Sequence, residues 1–156
     1  MKILLIIVFF IFSIGDTVRI EDIRDAYKTC SESKEKTEQF YELTQKGLQN
    51  DGAIYQAYHG AALALKASFS WNLFSKISYF NKAKKMIDAA ILSEPDNIEV
   101  RMVRLSIQNN APKIAGYYKN LEEDKDYIFN NIDKEDDKEL KLYIENFIAH
   151  SSIFSE

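Results

Sequence analysis

The clearest pattern in the chain lies in the stretch FNKAKKMIDAAILSEPDN, which begins at Phe80. Its apolar residues recur at i, i+3, i+7 and i+10, the spacing of one face of an α-helix. They are Phe80, Ala83, Ile87 and Ala90. Pro95 cannot continue this helix and disfavours helical geometry at the residue before it, so the pattern predicts a helix closed by a turn at Pro95.

The same periodicity predicts six further helices, separated by short turns rich in Asn, Asp, Gly or Pro. With the helix and turn at 80–97, they cover about residues 20–31, 34–48, 53–68, 98–109, 112–132 and 138–154. Seven helices, joined by short connections everywhere except between the third and the fourth, predict an all-α fold of stacked antiparallel helical hairpins. The fifth helix is apolar on two sides, which predicts a position between neighbouring helices. The face of the sixth that is predicted to turn inward consists of Ile114, Tyr118, Leu121 and Ile128.

A long aromatic connection is predicted between the third and fourth helices, over residues 69–77. It carries the only tryptophan of the chain, Trp71, together with Phe74. One interpretation is that these side chains cover the core from outside or lengthen the fourth helix at its start, because most large apolar residues are buried. The other is an exposed aromatic lip that grips a partner or touches a membrane surface.

The order of small and bulky residues around Ile87 resembles the second helix of a tetratricopeptide repeat. In that family a small residue is followed four positions on by a bulky one, three further by alanine and five further by proline. This is the spacing of Ala83, Ile87, Ala90 and Pro95. Gly60, in a stripe of small residues on the third helix, resembles the small residue of a repeat's first helix. The resemblance implies a superhelix of helical hairpins whose first helices line a groove for segments of partner proteins.

The first fifteen residues resemble an export signal. An unbroken apolar run at 3–12 follows Lys2, and this run is too short to span a bilayer comfortably as a helix. Ser13 and Gly15 stand at the −3 and −1 positions of a cleavage site. Richness in Ile, Lys, Asn, Phe and Tyr is typical of an AT-rich bacterial genome. We therefore expect cleavage near Gly15 and a domain at 16–156 that is periplasmic or extracellular; an uncleaved anchor or a buried amino-terminal strand is the alternative.

The composition limits the classes of function. A chain of 156 residues with 46% apolar residues can form one domain with a substantial core. A net charge of −4 argues against binding of nucleic acid, which requires a basic face to neutralise phosphates. The single cysteine, Cys30, lies on an apolar helix face and is predicted to be a buried, inert thiol.

No catalytic motif stands out in the sequence. The spacings of a nucleophile elbow, a phosphate-binding loop and a zincin are absent, and the acidic cluster at 135–137 lacks the pattern of a calcium loop. A hydrolase that uses His59 is the least favoured alternative, because it requires a concave pocket around Tyr55 and His59 with a third polar group nearby. We expect no catalytic residue, no metal site and no cofactor.

The polar stripe of the fifth helix is the best candidate for binding a partner. By the tetratricopeptide resemblance, Arg101, Arg104 and Gln108 would line the groove, where a forked guanidinium group suits an acidic or C-terminal carboxylate. If Pro95 is instead the family's proline, the groove residues are Glu99, Met102, Ser106 and Asn109. The alternative to binding is that the two arginines pair with acids of the sixth helix such as Glu122.

These patterns together predict a non-catalytic protein-interaction or scaffolding module of the bacterial envelope, with a protein or peptide as its partner. The alternative is a peripheral membrane protein that contacts lipid through residues 69–77, with Trp71 and Phe74 at the contact.

Overall fold

The computed structural model describes residues 17–154, and the predicted export signal at 1–15 lies outside this range. The described part of the chain is 74% helical and contains no strand, which confirms the predicted all-α fold. Seven α-helices pack together in it. They are α1 (Ile20–Tyr27), α2 (Lys34–Gly47), α3 (Ala53–Ser68), α4 (Leu73–Ser93), α5 (Ile98–Asn110), α6 (Leu121–Asn131) and α7 (Lys138–His150).

Helix α5 occupies the interior, as its two apolar sides predict. It contacts α3, α4, α6 and α7, and ten of its thirteen residues are buried. Asn97 caps its start, because the side-chain oxygen accepts hydrogen bonds from the backbone N–H groups of Glu99 and Val100 at 3.1 Å each. Polar side chains of a helix that is covered on several sides must pair with groups on the neighbouring helices. The arginines of α5 are therefore expected to form ion pairs within the protein.

The α3–α4 hairpin forms the most extensive helix–helix contact of the fold. Ala83, Ile87 and Ala90 of α4 are fully buried in it, as the periodicity predicts. Gly60 of α3 makes the close approach feasible: a Cβ atom there would lie 2.6 Å from Cγ1 of Ile87 and 3.2 Å from the carbonyl oxygen of Ala83. A larger residue at 60 would push the two helices apart.

The predicted long connection at 69–77 is wrong in its length. Helix α3 ends at Ser68 and α4 begins at Leu73, so four residues join them. Asn72 caps α4, since its side-chain oxygen accepts a hydrogen bond from the backbone N–H of Ser75 at 3.1 Å. The interpretation that the aromatic segment lengthens the fourth helix at its start is therefore confirmed.

The sixth helix, predicted at 112–132, is wrong in its first half. Only a short 3₁₀ turn, Lys113–Ala115, and an irregular stretch precede α6. Gly116 has a φ angle of 64°, a left-handed conformation that breaks the helix and that glycine adopts without strain. Ile114 and Tyr118, predicted to face the core, are exposed, whereas Ile128 is buried as predicted.

The two terminal helices are shorter than predicted. Helix α1 ends at Tyr27 instead of Ser31, and α7 ends at His150 instead of Phe154. Phe154 nevertheless packs on the core, with its ring centroid 6.1 Å from that of Phe147.

Candidate functional site

The most exposed apolar surface of the described chain lies where α3 turns into α4. We term residues 69–78 the hairpin tip. Every residue from Trp71 to Ser78 is exposed, and the side chains of Trp71 and Phe74 are 99% and 84% accessible. Leu73 and Ile77 are exposed as well. The interpretation that these side chains cover the core is therefore wrong, and the tip presents the aromatic lip of the other interpretation.

The apolar side chains of the tip lie on one side of the helix. Leu73, Phe74 and Ile77 stand at i, i+1 and i+4, so they share a face of the first turns of α4. Large apolar side chains grouped on the surface of a soluble domain mark sites of interaction with a protein or a membrane.

The segment of the chain that contains the hairpin tip is rich in lysine and free of acidic residues. The stretch 52–87, which holds α3, the hairpin tip and most of α4, contains five lysines and no acidic residue. All 24 acidic residues of the chain lie outside it. One of the lysines, Lys66, is paired with Glu38 of α2 at 2.6 Å. The hairpin is therefore a basic element in a protein of net negative charge.

The guanidinium groups of Arg101 and Arg104 converge on Asp124 of α6. Arg104 donates from Nε and Nη2 to the two carboxylate oxygens at 2.6 and 2.7 Å, and Arg101 donates from Nη1 to Oδ1 at 2.9 Å. Arg101 also donates to Glu123 at 3.0 Å. All three of the converging side chains are buried. The arginines therefore pair with acids of α6, as the alternative interpretation predicts, although not with Glu122.

The other register of α5 is covered as well. Glu99 accepts two hydrogen bonds from Arg24 of α1, at 2.7 and 2.8 Å, and a third from the hydroxyl group of Tyr58 in α3, at 2.7 Å. The hydroxyl group of Tyr27 donates to Ser106 at 3.0 Å. The hydrogen bond with Glu99 raises the pKa of Arg24 far above its usual range. Both polar stripes of α5 thus face neighbouring helices in the described part of the chain.

Gln108, the third residue of the predicted binding stripe, differs from the two arginines. Its side chain is 2% exposed, and neither Nε2 nor Oε1 has a hydrogen-bond partner. Within residues 17–154 this is true of no other buried side-chain nitrogen or oxygen. A buried polar atom left unpaired costs about 1–3 kcal/mol, so such a group calls for an explanation.

A cavity of about 450 Å³ adjoins Gln108, between α4, α5 and the connection that precedes α6. Tyr117 fixes this connection, since its hydroxyl group donates to Asp88 of α4 at 2.8 Å. The cavity is lined by Lys84, Asp88, Ile91, Leu92, Arg104, Gln108, Gly116, Tyr117, Tyr118, Lys119 and Asn120.

His59, the residue of the hydrolase alternative, is buried beside α2. Its Nδ1 lies 3.0 Å from the hydroxyl oxygen of Thr44, and its ring centroid lies 5.0 Å from that of Tyr41. Burial lowers the pKa of His59, so the ring is neutral at neutral pH. Tyr55, its expected partner, packs against Gly47 instead. His59 also lines a cavity of about 470 Å³ with Gln56 and Lys82, but Tyr55 does not, so the pair that the hydrolase alternative requires is not brought together.

Cys30 is buried as predicted, and burial raises the pKa of its thiol to about 12, which keeps it protonated and inert. Between residues 17 and 154, no three His, Cys, Asp or Glu side chains are grouped closely enough to hold a metal ion. No helix in the same range has the length and apolar character required to cross a membrane.

Four buried tyrosines predict a loss of stability at high pH. Burial raises the pKa of Tyr27, Tyr58, Tyr117 and Tyr143 above the ordinary value of 10.0. The folded state keeps these protons after the unfolded chain has lost them, so their contribution to the free energy of unfolding is complete below pH 10 and is lost above it. We expect phenolate absorbance of the buried tyrosines and loss of helical circular dichroism to occur in one transition. Ionisation of these tyrosines with unchanged ellipticity would contradict the prediction.

No family model, no curated protein and no solved structure matches the chain. The resemblance to a tetratricopeptide repeat therefore remains a prediction from residue spacing. Function has to be inferred from the chemistry of the sites themselves, because an all-α fold alone does not define one.

The basic character of the hairpin can be recognised in the sequence, whereas the cavity beside Gln108 cannot. The absence of acids from 52–87 is visible in the sequence and predicts a basic surface. The cavity beside Gln108 is not predicted, because one of its walls, around Tyr117, is expected to be helical. Gly116, a glycine within a helical pattern, is the one sign that the helix is interrupted there.

Proposed function

We propose that the chain is a non-catalytic binding module that docks on an anionic membrane surface through the hairpin tip. The observation that supports the proposal most strongly is the near-complete exposure of Trp71 together with Phe74, at the end of a basic hairpin. Tryptophan is enriched at the boundary between lipid and water, and tryptophan, phenylalanine and leucine are the usual apolar contacts of elements that lie in that boundary.

The energies of the two contributions are sufficient for reversible binding. Full burial of a large apolar side chain contributes about 1.5–3 kcal/mol, and the tip presents four of them. A lysine close to an anionic leaflet adds about 1 kcal/mol. Lys85 lies on the same face of α4 as Phe74 but eleven residues, or about 16 Å, further along the helix, beyond the Debye length of about 8–10 Å at ordinary salt, so it adds little while the tip alone touches the leaflet. Lys76 stands within the tip itself and is exposed.

The alternative interpretation of the hairpin tip is that it binds another protein. In a scaffolding module of the bacterial envelope, the tip would be buried against another protein, and binding would not depend on the charge of the lipid. The predicted export signal at 1–15 would bring the module to the periplasm or the cell exterior in either case.

The fluorescence of Trp71 tests the proposal directly, because it is the only tryptophan of the chain and reports on the tip alone. We expect its emission to shift to shorter wavelength, and to be quenched by brominated lipid, with vesicles that contain phosphatidylglycerol. The effect should be much weaker with phosphatidylcholine alone. Phe74→Ser should weaken the vesicle affinity by about tenfold or more, since it removes one large apolar side chain from the contact.

The matched control is Ile114→Ser, which makes the same kind of change at a side chain that is 98% exposed but lies outside the tip. It should leave the vesicle affinity unchanged. If the emission of Trp71 does not respond to either type of vesicle, docking on a membrane is refuted. A protein bound by the wild-type chain and lost with Phe74→Ser would then assign the tip to a protein partner.

A further inference from the structure

We infer that the cavity beside Gln108 is a binding site for a small anionic molecule that carries a secondary amide. An N-acylated amino acid and an N-acylated amino sugar acid both have this chemistry. The inference goes beyond the docking of the hairpin tip and is independent of it, because none of the residues that line the cavity belongs to the tip.

The unpaired amide of Gln108 indicates that the ligand carries an amide group. Its planar carboxamide offers hydrogen-bond donors on Nε2 and an acceptor on Oε1, and both atoms are buried and unpaired. A secondary amide offers an acceptor to Nε2 and a donor to Oε1; because its trans form carries them on opposite edges, it pairs with one of the two atoms at a time. Gln108 lines the cavity, and its two amide atoms are covered as the side chain stands, so the proposed contact requires a change of its side-chain rotamer.

The charged residues of the cavity indicate that the ligand carries a negative charge. Lys84 and Lys119 line it, and neither forms an ion pair in the described part of the chain. The charge of Arg104 is neutralised by Asp124 of α6. Asp88 is the single carboxylate of the lining; it accepts a hydrogen bond from the hydroxyl group of Tyr117, and its charge offsets one of the two lysines. The remaining charge at the cavity is therefore positive and favours an anion.

The size and the apolar walls of the cavity fit a molecule of this class. A volume of about 450 Å³ lies within the range of sites for small organic ligands. Ile91 and Leu92 on one side, and the rings of Tyr117 and Tyr118 on the other, offer apolar surface for an acyl chain, an aliphatic side chain or the face of a sugar ring.

Ligand-detected saturation-transfer NMR on the full-length chain tests the inference with three related probes. N-acetyl-L-leucine carries the amide and the carboxylate, N-(3-methylbutyl)acetamide lacks the carboxylate, and 4-methylpentanoate lacks the amide. We expect N-acetyl-L-leucine to bind about tenfold more tightly than either of the others, since each of them loses one recognition element. N-acetylmuramic acid, added as a fourth probe, identifies the sugar as the source if it binds more tightly, and the amino acid if it binds less tightly.

Two variants separate the recognition elements. Gln108→Leu should weaken the binding of N-acetyl-L-leucine by about tenfold and leave the binding of 4-methylpentanoate unchanged. Lys119→Gln should weaken the binding of the three anionic probes and leave that of N-(3-methylbutyl)acetamide unchanged. Gln45→Leu, the same chemical change at an exposed glutamine of α2, is the control and should alter the binding of none of them. Phe74→Ser should also leave all probes unchanged, which keeps this test separate from that of the hairpin tip.

Two results would overturn the inference. One is equal affinity of the wild-type chain for N-acetyl-L-leucine and 4-methylpentanoate, because the amide would then play no part. The other is the absence of saturable binding by any probe together with a higher melting temperature of Gln108→Leu, as expected if water alone fills the cavity. If Gln108→Leu does not fold, the comparison of probes on the wild-type chain and on Lys119→Gln decides the question.

Discussion

Replacement of Asp124 by alanine is expected to lower the free energy of unfolding by about 3–5 kcal/mol, because it leaves the two buried guanidinium groups with only the exposed carboxylate of Glu123 as a counter-ion. Asp124 is fully buried and accepts hydrogen bonds from both Arg101 and Arg104. Domains of this size are stable by about 5–15 kcal/mol in total, so the single change removes a large part of that stability. Urea unfolding followed by circular dichroism measures it.

The control for Asp124→Ala lies on the same helix. Asp126 is exposed on α6, and its replacement by alanine should change the free energy of unfolding by about 0.5 kcal/mol or less. Replacing the whole cluster with apolar residues, as in Arg101→Met, Arg104→Met and Asp124→Leu combined, should recover most of the lost stability, since no buried charge is then unpaired. Equal stability of Asp124→Ala and Asp126→Ala would show that the cluster is not buried in solution.

This cluster changes how a binding experiment on α5 must be interpreted. Arg101→Glu and Arg104→Glu together would set two new carboxylates against Asp124 inside the protein, which is strongly destabilising. A partner lost by such a variant would therefore report on folding and would not locate a binding surface. The exposed tip at Trp71 and the cavity at Gln108 allow substitutions that do not disturb this buried cluster.

The parts of the fold that follow from local periodicity were predictable from the sequence. Ala83, Ile87 and Ala90 are all buried, because a helix places residues at this spacing on one face whatever it packs against. The bounds of α3 agree with the prediction for the same reason, since Gly52 marks a clear stop and restart before it. Burial of α5 on two sides likewise follows from its two apolar stripes.

The parts that depend on which elements meet were not predictable from the sequence. The pattern of Arg101 and Arg104 in the sequence is compatible with an open binding face and with a surface that forms ion pairs. Only the packing of α6 against α5 decides between the two. The exposure of Trp71 depends on where α3 ends relative to the start of α4. A difference of a few residues in that turn separates an aromatic cover of the core from an exposed tip.

Replacement of Glu99 by alanine is the second change with a large expected effect, again about 3–5 kcal/mol in the free energy of unfolding. Glu99 is buried and joins three helices, because it accepts two hydrogen bonds from Arg24 of α1 and one from Tyr58 of α3. The hydroxyl groups of Tyr58 and Tyr143 lie 3.2 Å apart, which extends the cluster to α7. Its removal leaves Arg24 without a partner and Tyr58 without its acceptor.

Comparison of variants identifies the charge as the cause. Glu99→Gln keeps the size of the side chain, but its amide nitrogen would face the donating nitrogens of Arg24, so it should recover little of the loss. Tyr58→Phe removes one hydrogen bond to a charged group and should cost about 1.5–3 kcal/mol. Glu145→Ala, at an exposed position of α7, should change little. A smaller loss for Glu99→Gln than for Tyr58→Phe, by urea unfolding, would assign the stability to the tyrosine pair and refute the ion pair as its source.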